Sequence, residues 1–231
     1  MSGEALFDAM CIGAHPDDVE IGMGATLAGI VRRGGRVVIV DLTDGEPTPH
    51  GSKEKRAAES AEAATVLGAQ RRTLSGANRY LFDSVEARME LAEVIREFRP
   101  KVLFIPYADD AHPDHIAASA IAVAARFYAK FTKTDMSGEP FFPARIYRYM
   151  AVHMRVVAQP SFIIDVTDDL PSKLAALEAY RSQFIDNTGN SGVLDLVRQQ
   201  AQMWGALGKV GFGEPFFALE PVALRDVGDL I

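Results

Sequence analysis

Cysteine and long apolar runs are both scarce in this chain of 231 residues. Cys11 is the only cysteine, so no disulfide can form within the chain, and a reducing compartment such as the cytoplasm suits it. Its apolar neighbours favour a packing role over a nucleophilic one. The longest apolar run, around residues 37–40, has the length of a strand, whereas a membrane-spanning helix needs roughly 20 residues. Residues 1–5 carry no basic segment, so we expect no secretory signal.

Positive charge is also in short supply. Lys and Arg number 24 against 31 Asp and Glu, which gives a net charge of −7. A surface that neutralises phosphate groups needs the opposite balance. Nucleic acids and membranes are therefore not expected partners, and a small molecule is the expected ligand.

Strand-like and helix-like segments alternate through the first part of the chain. Buried strands are predicted at residues 6–13, 36–42 and 101–106, each followed by a helix with apolar residues at helical spacing. This alternation predicts a mostly parallel, doubly wound, Rossmann-like α/β sheet with helices on both faces. We expect one domain, with an α/β core over residues 1–130 and a C-terminal elaboration over residues 131–231.

In the predicted C-terminal elaboration the pattern is looser. The predicted strands and helices there lie near residues 146–152, 162–166, 170–182 and 193–207. Residues 208–215 are rich in glycine, so a loop near the site or at an interface is predicted for them.

Two short segments carry the strongest chemical signal. Residues 14–18 are Ala-His-Pro-Asp-Asp and residues 111–115 are Ala-His-Pro-Asp-His, and together they hold three of the five histidines. Each follows a predicted strand and precedes a predicted helix. The prolines favour an extended conformation at His15 and His112, which then project from the strand ends. In doubly wound sheets ligands bind beyond those ends, where the strand order reverses.

The residue types in these segments suit a metal-dependent hydrolase. A catalytic zinc typically keeps three protein ligands and one water, and His15, Asp18 and one later histidine can fill that set. Zinc lowers the pKa of its water from about 15.7 to about 7, and Asp17 can take the released proton. The remaining histidine can donate a hydrogen bond to the developing oxyanion, with Asp114 holding its ring and favouring the imidazolium.

Each segment alone has a simpler interpretation. A single His-Pro-Asp after a strand is commonly a turn into a capped helix, with Asp114 as the cap. Two copies at corresponding strand ends require that coincidence twice, so the pair favours a metal site. His50 lies in a polar loop and His153 in an apolar strand, so we expect a solvated and a core side chain respectively.

A glycine pair offers a different interpretation. Gly22-Met23-Gly24 follows the first strand, and Asp41 ends the second strand where a dinucleotide-binding acid would stand. However, Leu27 occupies the third glycine position, and the pair comes nine residues after Gly13 instead of forming the turn. We therefore assign these glycines to close packing of the first helix. An oxidoreductase and a metal-dependent sugar-binding module without turnover are the alternatives to a hydrolase.

The two segments belong to a wider resemblance. Residues 14–26 resemble the signature of the LmbE-like, or PIG-L, deacetylases, and residues 112–115 resemble their second metal motif. Residues 42–46 are similar to the family's second loop, and residues 56–68 to its next helix. Residues 180–184, Tyr-Arg-Ser-Gln-Phe, are similar to a late segment of the bacillithiol-pathway branch, which acts on N-acetylglucosaminyl-malate. The resemblance covers most of the chain.

This resemblance implies a zinc-dependent N-deacetylase that acts on an N-acetylglucosamine unit. It implies Asp17 as the general base and His112 as the residue that stabilises the oxyanion, with Asp114 behind it. The zinc ligands that it implies are His15, Asp18 and His115. It also implies a homo-oligomer, a hexamer among the candidates.

The substrate is less defined than the reaction. Arg56 matches a family arginine near the substrate, where a planar guanidinium can bind a carboxylate or sugar hydroxyls; a surface ion pair with Glu59 is the simpler interpretation. Ala111 stands where members acting on the malate conjugate often carry arginine, and Phe212 stands where tyrosine is common. The aglycone is therefore open between malate, inositol and a second sugar.

Overall fold

A mixed sheet forms the centre of the protein in the computed structural model, which describes residues 4–151, 153, 158–190, 192–224 and 226. Within these residues the sheet has seven strands. The strands are β1 (Phe7–Gly13), β2 (Val37–Thr43), β3 (Gln70–Gly76), β4 (Pro100–Pro106), β5 (Arg145–Tyr149), β6 (Phe162–Asp165) and β7 (Gly213–Ala218). The helices are α1 (Asp18–Arg32), α2 (Lys53–Leu67), α3 (Val85–Phe98), α4 (Pro113–Tyr128), α5 (Leu170–Glu178), α6 (Arg181–Phe184) and α7 (Val193–Gly208).

The strand order is β3-β2-β1-β4-β5-β7-β6. The first five strands in that order pair in parallel, and β7 pairs antiparallel with both β5 and β6. The predicted mostly parallel α/β fold is therefore confirmed. The order reverses between β1 and β4, which puts the strand ends expected to bind a ligand side by side.

Both faces of the sheet are buried because alternate residues of its central strands point to opposite sides. From β1, Met10 and Ile12 pack with α3 and α4, whereas Ala9 and Cys11 pack with α1, α2, α5 and α7. Cys11 is fully buried, and burial raises the pKa of its thiol, so its predicted packing role is confirmed.

Helix α1 is broken in its first half. Met23 has non-helical dihedral angles (φ −151°, ψ 19°), and the Glu214 carboxylate accepts hydrogen bonds from the amides of Ala25 and Thr26, at 3.2 and 2.7 Å. A Cβ at Gly22 would clash with the Tyr149 ring, so the predicted close packing of this glycine is confirmed.

The C-terminal part departs from the prediction in three places. The loop predicted at residues 208–215 is wrong from Gly213 onwards, since β7 begins there and pairs with two distant strands. The helix predicted at residues 170–182 divides into α5 and α6. Strand β5 ends at Tyr149, and Val152, included in the predicted strand, lies outside the described residues. Among the helices of the described residues, none is long and apolar enough to cross a membrane.

Candidate active site

The two histidine segments meet at the carboxyl ends of β1 and β4. Helix α1 begins at Asp18 and helix α4 at Pro113, each shortly after its histidine. His112 is the extended N-cap of α4 (φ −86°, ψ 115°), the conformation that a following proline favours. The structure thus brings the side chains of the two segments together at the edge of the sheet where the strand order reverses, between β1 and β4.

Three buried side chains in this cluster have the donor set of a zinc site. Asp18 Oδ2 accepts hydrogen bonds from the amides of Ala14 and His15, both at 2.9 Å, which leaves Oδ1 directed at the His115 ring. His115 Nε2 lies 3.2 Å from Asp18 Oδ1, and His15 Nδ1 lies 3.6 Å from Asp18 Oδ2. Burial works against a charge on His115, but Asp18 and Asp110 outweigh it and raise its pKa to about 9.

One ring nitrogen of this trio lacks a hydrogen bond within the described structure. His115 Nε2 is buried and, among the described residues, has no hydrogen-bond partner, because its approach to Asp18 Oδ1 is close but poorly aligned. A buried polar atom without a partner is costly, whereas a metal ion between imidazole and carboxylate satisfies both. His15, Asp18 and His115 therefore fit a metal ion, and their ligand atoms lie within 4.8 Å of one another.

Asp110 is a residue of this site that the sequence interpretation missed. Its Oδ2 lies 2.5 Å from His115 Nδ1, and its Oδ1 accepts hydrogen bonds from the amides of His112 (3.2 Å) and His153 (2.9 Å). A carboxylate on the second nitrogen of a metal-binding histidine fixes the tautomer and orients the ring. The aspartate two residues before His112 was the available signal.

His112 is held in one tautomer. Its Nδ1 accepts a hydrogen bond from the Asp114 amide at 3.2 Å, so the proton of a neutral ring lies on Nε2. Burial and the nearby His15 and His115 lower its pKa. The charge of Asp114 acts in the expected direction and raises the pKa of His112, but burial and the two histidines outweigh it.

The Asp114 carboxylate makes other contacts than the expected one with the His112 ring. Its Oδ2 lies 3.0 Å from His15 Nε2 and accepts a hydrogen bond from the Arg79 amide at 2.6 Å, while Oδ1 accepts one from the Leu81 amide at 3.2 Å. Asp114 thus orients His15 and ties the loop between β3 and α3 to the cluster.

Asp17 occupies a strained position beside these groups. Its φ of 103° lies in the left-handed region, which is uncommon for a residue other than glycine. Such strain is concentrated at functional sites. Burial raises the pKa of Asp17 to about 6, although the Arg56 guanidinium opposes the shift.

Arg56 is buried, so its interpretation as a surface ion pair with Glu59 is wrong. Its Nη2 donates to Asp17 Oδ2 at 2.8 Å and to Pro16 O at 2.5 Å, and its Cζ lies 5.2 Å from the centre of the Tyr180 ring. Glu59 instead accepts two hydrogen bonds from Ser182. In the part of the chain that the structure describes, Arg56 Nε and Nη1 have no partner.

The prediction that His153 is a core residue is also wrong. Its side chain is 60% exposed, its ring centre lies 5.4 Å from that of His112, and its Nδ1 lies 3.8 Å from Asp110 Oδ1. Strand β5 ends at Tyr149, so His153 lies outside the strand in which it was predicted. His50 is exposed, as expected.

A cavity of about 420 Å³ opens between the loops that follow β2 and β3. Its polar lining includes Asp44, Glu46, Lys53 and Asn78. Arg79 joins the two loops, since its guanidinium donates to Pro47 O at 2.9 Å while its amide bonds to Asp114. The lining residue Asn78 directly precedes Arg79, so this loop links the cavity to the cluster.

Comparisons with known proteins agree with this geometry. Residues 10–126, about half of the chain, match the PIG-L family, described as GlcNAc-PI de-N-acetylase. A 1D-myo-inositol 2-acetamido-2-deoxy-alpha-D-glucopyranoside deacetylase from Thermomonospora curvata is 30% identical over 237 residues, covering 75% of this chain and 80% of that protein.

Solved structures extend the similarity over nearly the whole chain. The conserved protein TT1542 from Thermus thermophilus is 36% identical with a TM-score of 0.88, covering 96% of this chain and 98% of that one. The N,N'-diacetylchitobiose deacetylase from Pyrococcus horikoshii is 28% identical with a TM-score of 0.80, covering 97% and 88%. The chain therefore belongs to the PIG-L family and is an N-deacetylase.

Proposed function

We propose that this protein is a zinc-dependent hydrolase that removes the acetyl group from an N-acetylglucosaminyl conjugate. The observation that carries the proposal is the buried trio of His15, Asp18 and His115, in which His115 Nε2 lacks a hydrogen bond among the described residues. Two imidazoles and one carboxylate form a ligand set of catalytic zinc sites that leaves one position open. Two of the relatives are named as deacetylases of acetamido sugars.

Asp17 is the general base in this proposal. When bound, zinc polarises the amide carbonyl and lowers the pKa of water from about 15.7 to roughly 7. Asp17 directly precedes the ligand Asp18 in the chain, and Arg56 holds its carboxylate in place. Its carboxylate takes the proton from the water that attacks the acetyl carbon.

His112 stabilises the negative charge that develops on the acetyl oxygen. Because its Nδ1 is occupied by the Asp114 amide, its Nε2–H is available to donate a hydrogen bond. The carbon–nitrogen bond then breaks, acetate leaves, and the amine takes the proton that Asp17 accepted from the water. Asp114 acts through His15, whose Nε2 it contacts.

Arg56 has a second role in this proposal, in substrate binding. Its Nη2 is used by Asp17, while Nε and Nη1 have no partner in the described structure. Gly45 borders the guanidinium, since a Cβ there would lie 3.1 Å from Nε. A buried guanidinium with unpaired donors gains hydrogen bonds when an oxygen ligand, such as a sugar hydroxyl next to the reacting amide, reaches it.

The aglycone is a neutral polyhydroxyl group in this proposal, either inositol or a second sugar. Ala111 is exposed beside His112 and offers no cation to a malate carboxylate. The adjacent cavity is lined by the carboxylates of Asp44 and Glu46 together with Lys53, whose charge is already used by Asp44 at 2.9 Å. Because Lys53 and Asp44 neutralise each other, the lining keeps the single negative charge of Glu46, which disfavours a dicarboxylate, while carboxylate oxygens accept hydrogen bonds from hydroxyls.

Acetate release from a panel of conjugates tests this function. Zinc-loaded protein is incubated with N-acetylglucosaminyl-inositol, N,N'-diacetylchitobiose and N-acetylglucosaminyl-malate, and acetate is quantified. We expect release from one of the first two at a higher kcat/KM than from the malate conjugate. Binding of these sugars without acetate release would instead indicate a binding module. The homo-oligomer that the resemblance implies stays a prediction, which light scattering of the purified protein checks.

A further inference from the structure

His153 approaches the cluster from the side opposite to Arg56. Arg56 comes from α2, which follows β2, whereas His153 follows β5. In the sheet, β2 and β5 lie on either side of the central pair β1 and β4. A substrate bound over the ends of β1 and β4 therefore lies between these two side chains.

The backbone amide of His153 is hydrogen-bonded, whereas its ring makes no hydrogen bond within the part of the chain that the structure describes. The amide donates to Asp110 Oδ1 at 2.9 Å, which attaches this part of the chain to the carboxylate that orients His115. The ring Nδ1 lies 3.8 Å from the same oxygen, beyond hydrogen-bond distance. Its centre lies 5.1 Å from that of His115, and its side chain is 60% exposed. An anchored and largely exposed imidazole can bind a polar group that enters the site.

A metal-ligand role for His153 is disfavoured by its partners. Asp110, His115 and His153 could be grouped as a metal site by distance alone. However, Asp110 Oδ1 already accepts two amide hydrogen bonds, and Asp110 Oδ2 is bonded to His115 Nδ1. The ligand atoms that such a site needs are thus in use.

We propose that His153 is a further substrate-contacting residue, whose ring forms a hydrogen bond with a hydroxyl of the acetamido sugar. This inference rests on the proposed function of the same site. Arg56 binds the sugar from the β2 side and His153 from the β5 side. The two contacts together fix the orientation of the sugar, which places its acetamide group towards Asp17 and His112.

Kinetics of substituted proteins test this inference. His153→Ala is expected to raise KM about tenfold with little change in kcat, because a contact made equally to the bound substrate and to the transition state affects KM alone. His153→Gln retains a hydrogen-bonding side chain and should recover part of the loss. His50→Ala, which removes an exposed histidine from a loop, should leave KM unchanged. Zinc content should equal that of the wild type in all three.

Two outcomes would overturn the inference. One is an unchanged KM in both His153 variants. The other is loss of zinc from His153→Ala, which would make the residue a ligand. Calorimetric titration of glucosamine into the zinc-loaded proteins gives a readout that needs no turnover: weaker binding to the two variants than to wild type is expected, and equal binding would count against the contact. Absence of acetate release from the wild type would overturn the proposed function instead.

Discussion

At the scale of single residues, the site depends on backbone geometry that the sequence does not display. The Asp17-Asp18 pair was predictable from its position after His15. The left-handed φ of Asp17 was not, and it is this conformation that separates the two carboxylates, one towards Arg56 and one towards the histidines. The left-handed conformation of Asp17 is unfavourable for most residues other than glycine, so tertiary contacts such as that with Arg56 must maintain it.

Replacing Asp17 by asparagine separates catalysis from metal binding. Asparagine tolerates the left-handed region, so the fold should persist. We expect Asp17→Asn to retain zinc and to lower kcat by about 10²–10⁴-fold, the usual contribution of a general base. Elemental analysis and acetate release on the same preparation check this. A wild-type kcat would show that Asp17 is not the base.

Asp110 offers a test of the orientation of His115. Asp110→Asn weakens the partner of His115 Nδ1, and loss of such a partner typically lowers metal affinity about 10–100-fold. Competition with a chelator measures the zinc affinity. The neighbouring exposed carboxylate Asp109 gives the matched control, Asp109→Asn, which should bind zinc as the wild type does. Equal affinities for both variants would contradict the orienting role.

At the scale of elements, the broken helix α1 depends on a strand that is distant in sequence. Glu214 of β7 accepts hydrogen bonds from the amides freed by the break and pairs with Lys173 of α5 at 2.6 Å. The glycines around Glu214 predicted a loop. The segment is nevertheless a strand, because its pairing with β5 and β6 specifies the conformation and local propensity does not. Helix α1 begins at Asp18 of the site, so the Glu214–Lys173 ion pair, which holds the broken part of this helix, also supports the position of Asp18.

Removing Glu214 should destabilise the fold strongly. In Glu214→Ala the buried Lys173 loses its partner, and an uncompensated buried charge costs about 3–5 kcal/mol. Urea unfolding measures the change in the free energy of unfolding. Glu178→Ala, at an exposed position of α5, should change it by less than about 0.5 kcal/mol. Equal stabilities of the two variants would show that the buried pair contributes nothing.

The contact between the end of α1 and the start of α5 should depend on pH. Hydrogen bonds from Arg32 lower the pKa of Asp169 in the folded state from its usual value of 3.8. A carboxyl with a depressed folded pKa stabilises the fold above its unfolded pKa and loses this effect as the pH falls through the folded pKa. The stability difference between wild type and Asp169→Asn should therefore shrink below about pH 4. Urea unfolding at pH 6 and pH 3 checks this, and a difference independent of pH would contradict it.

At the scale of the whole molecule, the sequence predicted the fold class and the two segments at β1 and β4, because alternation of strands and helices and the His-Pro-Asp turns are local signals. Asp110 was missed and His153 was wrongly assigned to the core, because their positions at the site depend on strand order, which puts β5 beside β4. Arg56 was noticed only through family resemblance, and its contacts with Pro16, Asp17 and Tyr180 arise from tertiary packing.

The central claim is that one zinc ion, held by His15, Asp18 and His115, drives removal of an acetyl group from an acetamido sugar. Its most direct test is a titration of chelator-treated protein with Zn²⁺ while acetate release from N-acetylglucosaminyl-inositol or N,N'-diacetylchitobiose is recorded. We expect activity to rise with zinc and to saturate at one equivalent per chain. Acetate release that is independent of zinc, or no release at any zinc level, would contradict the claim.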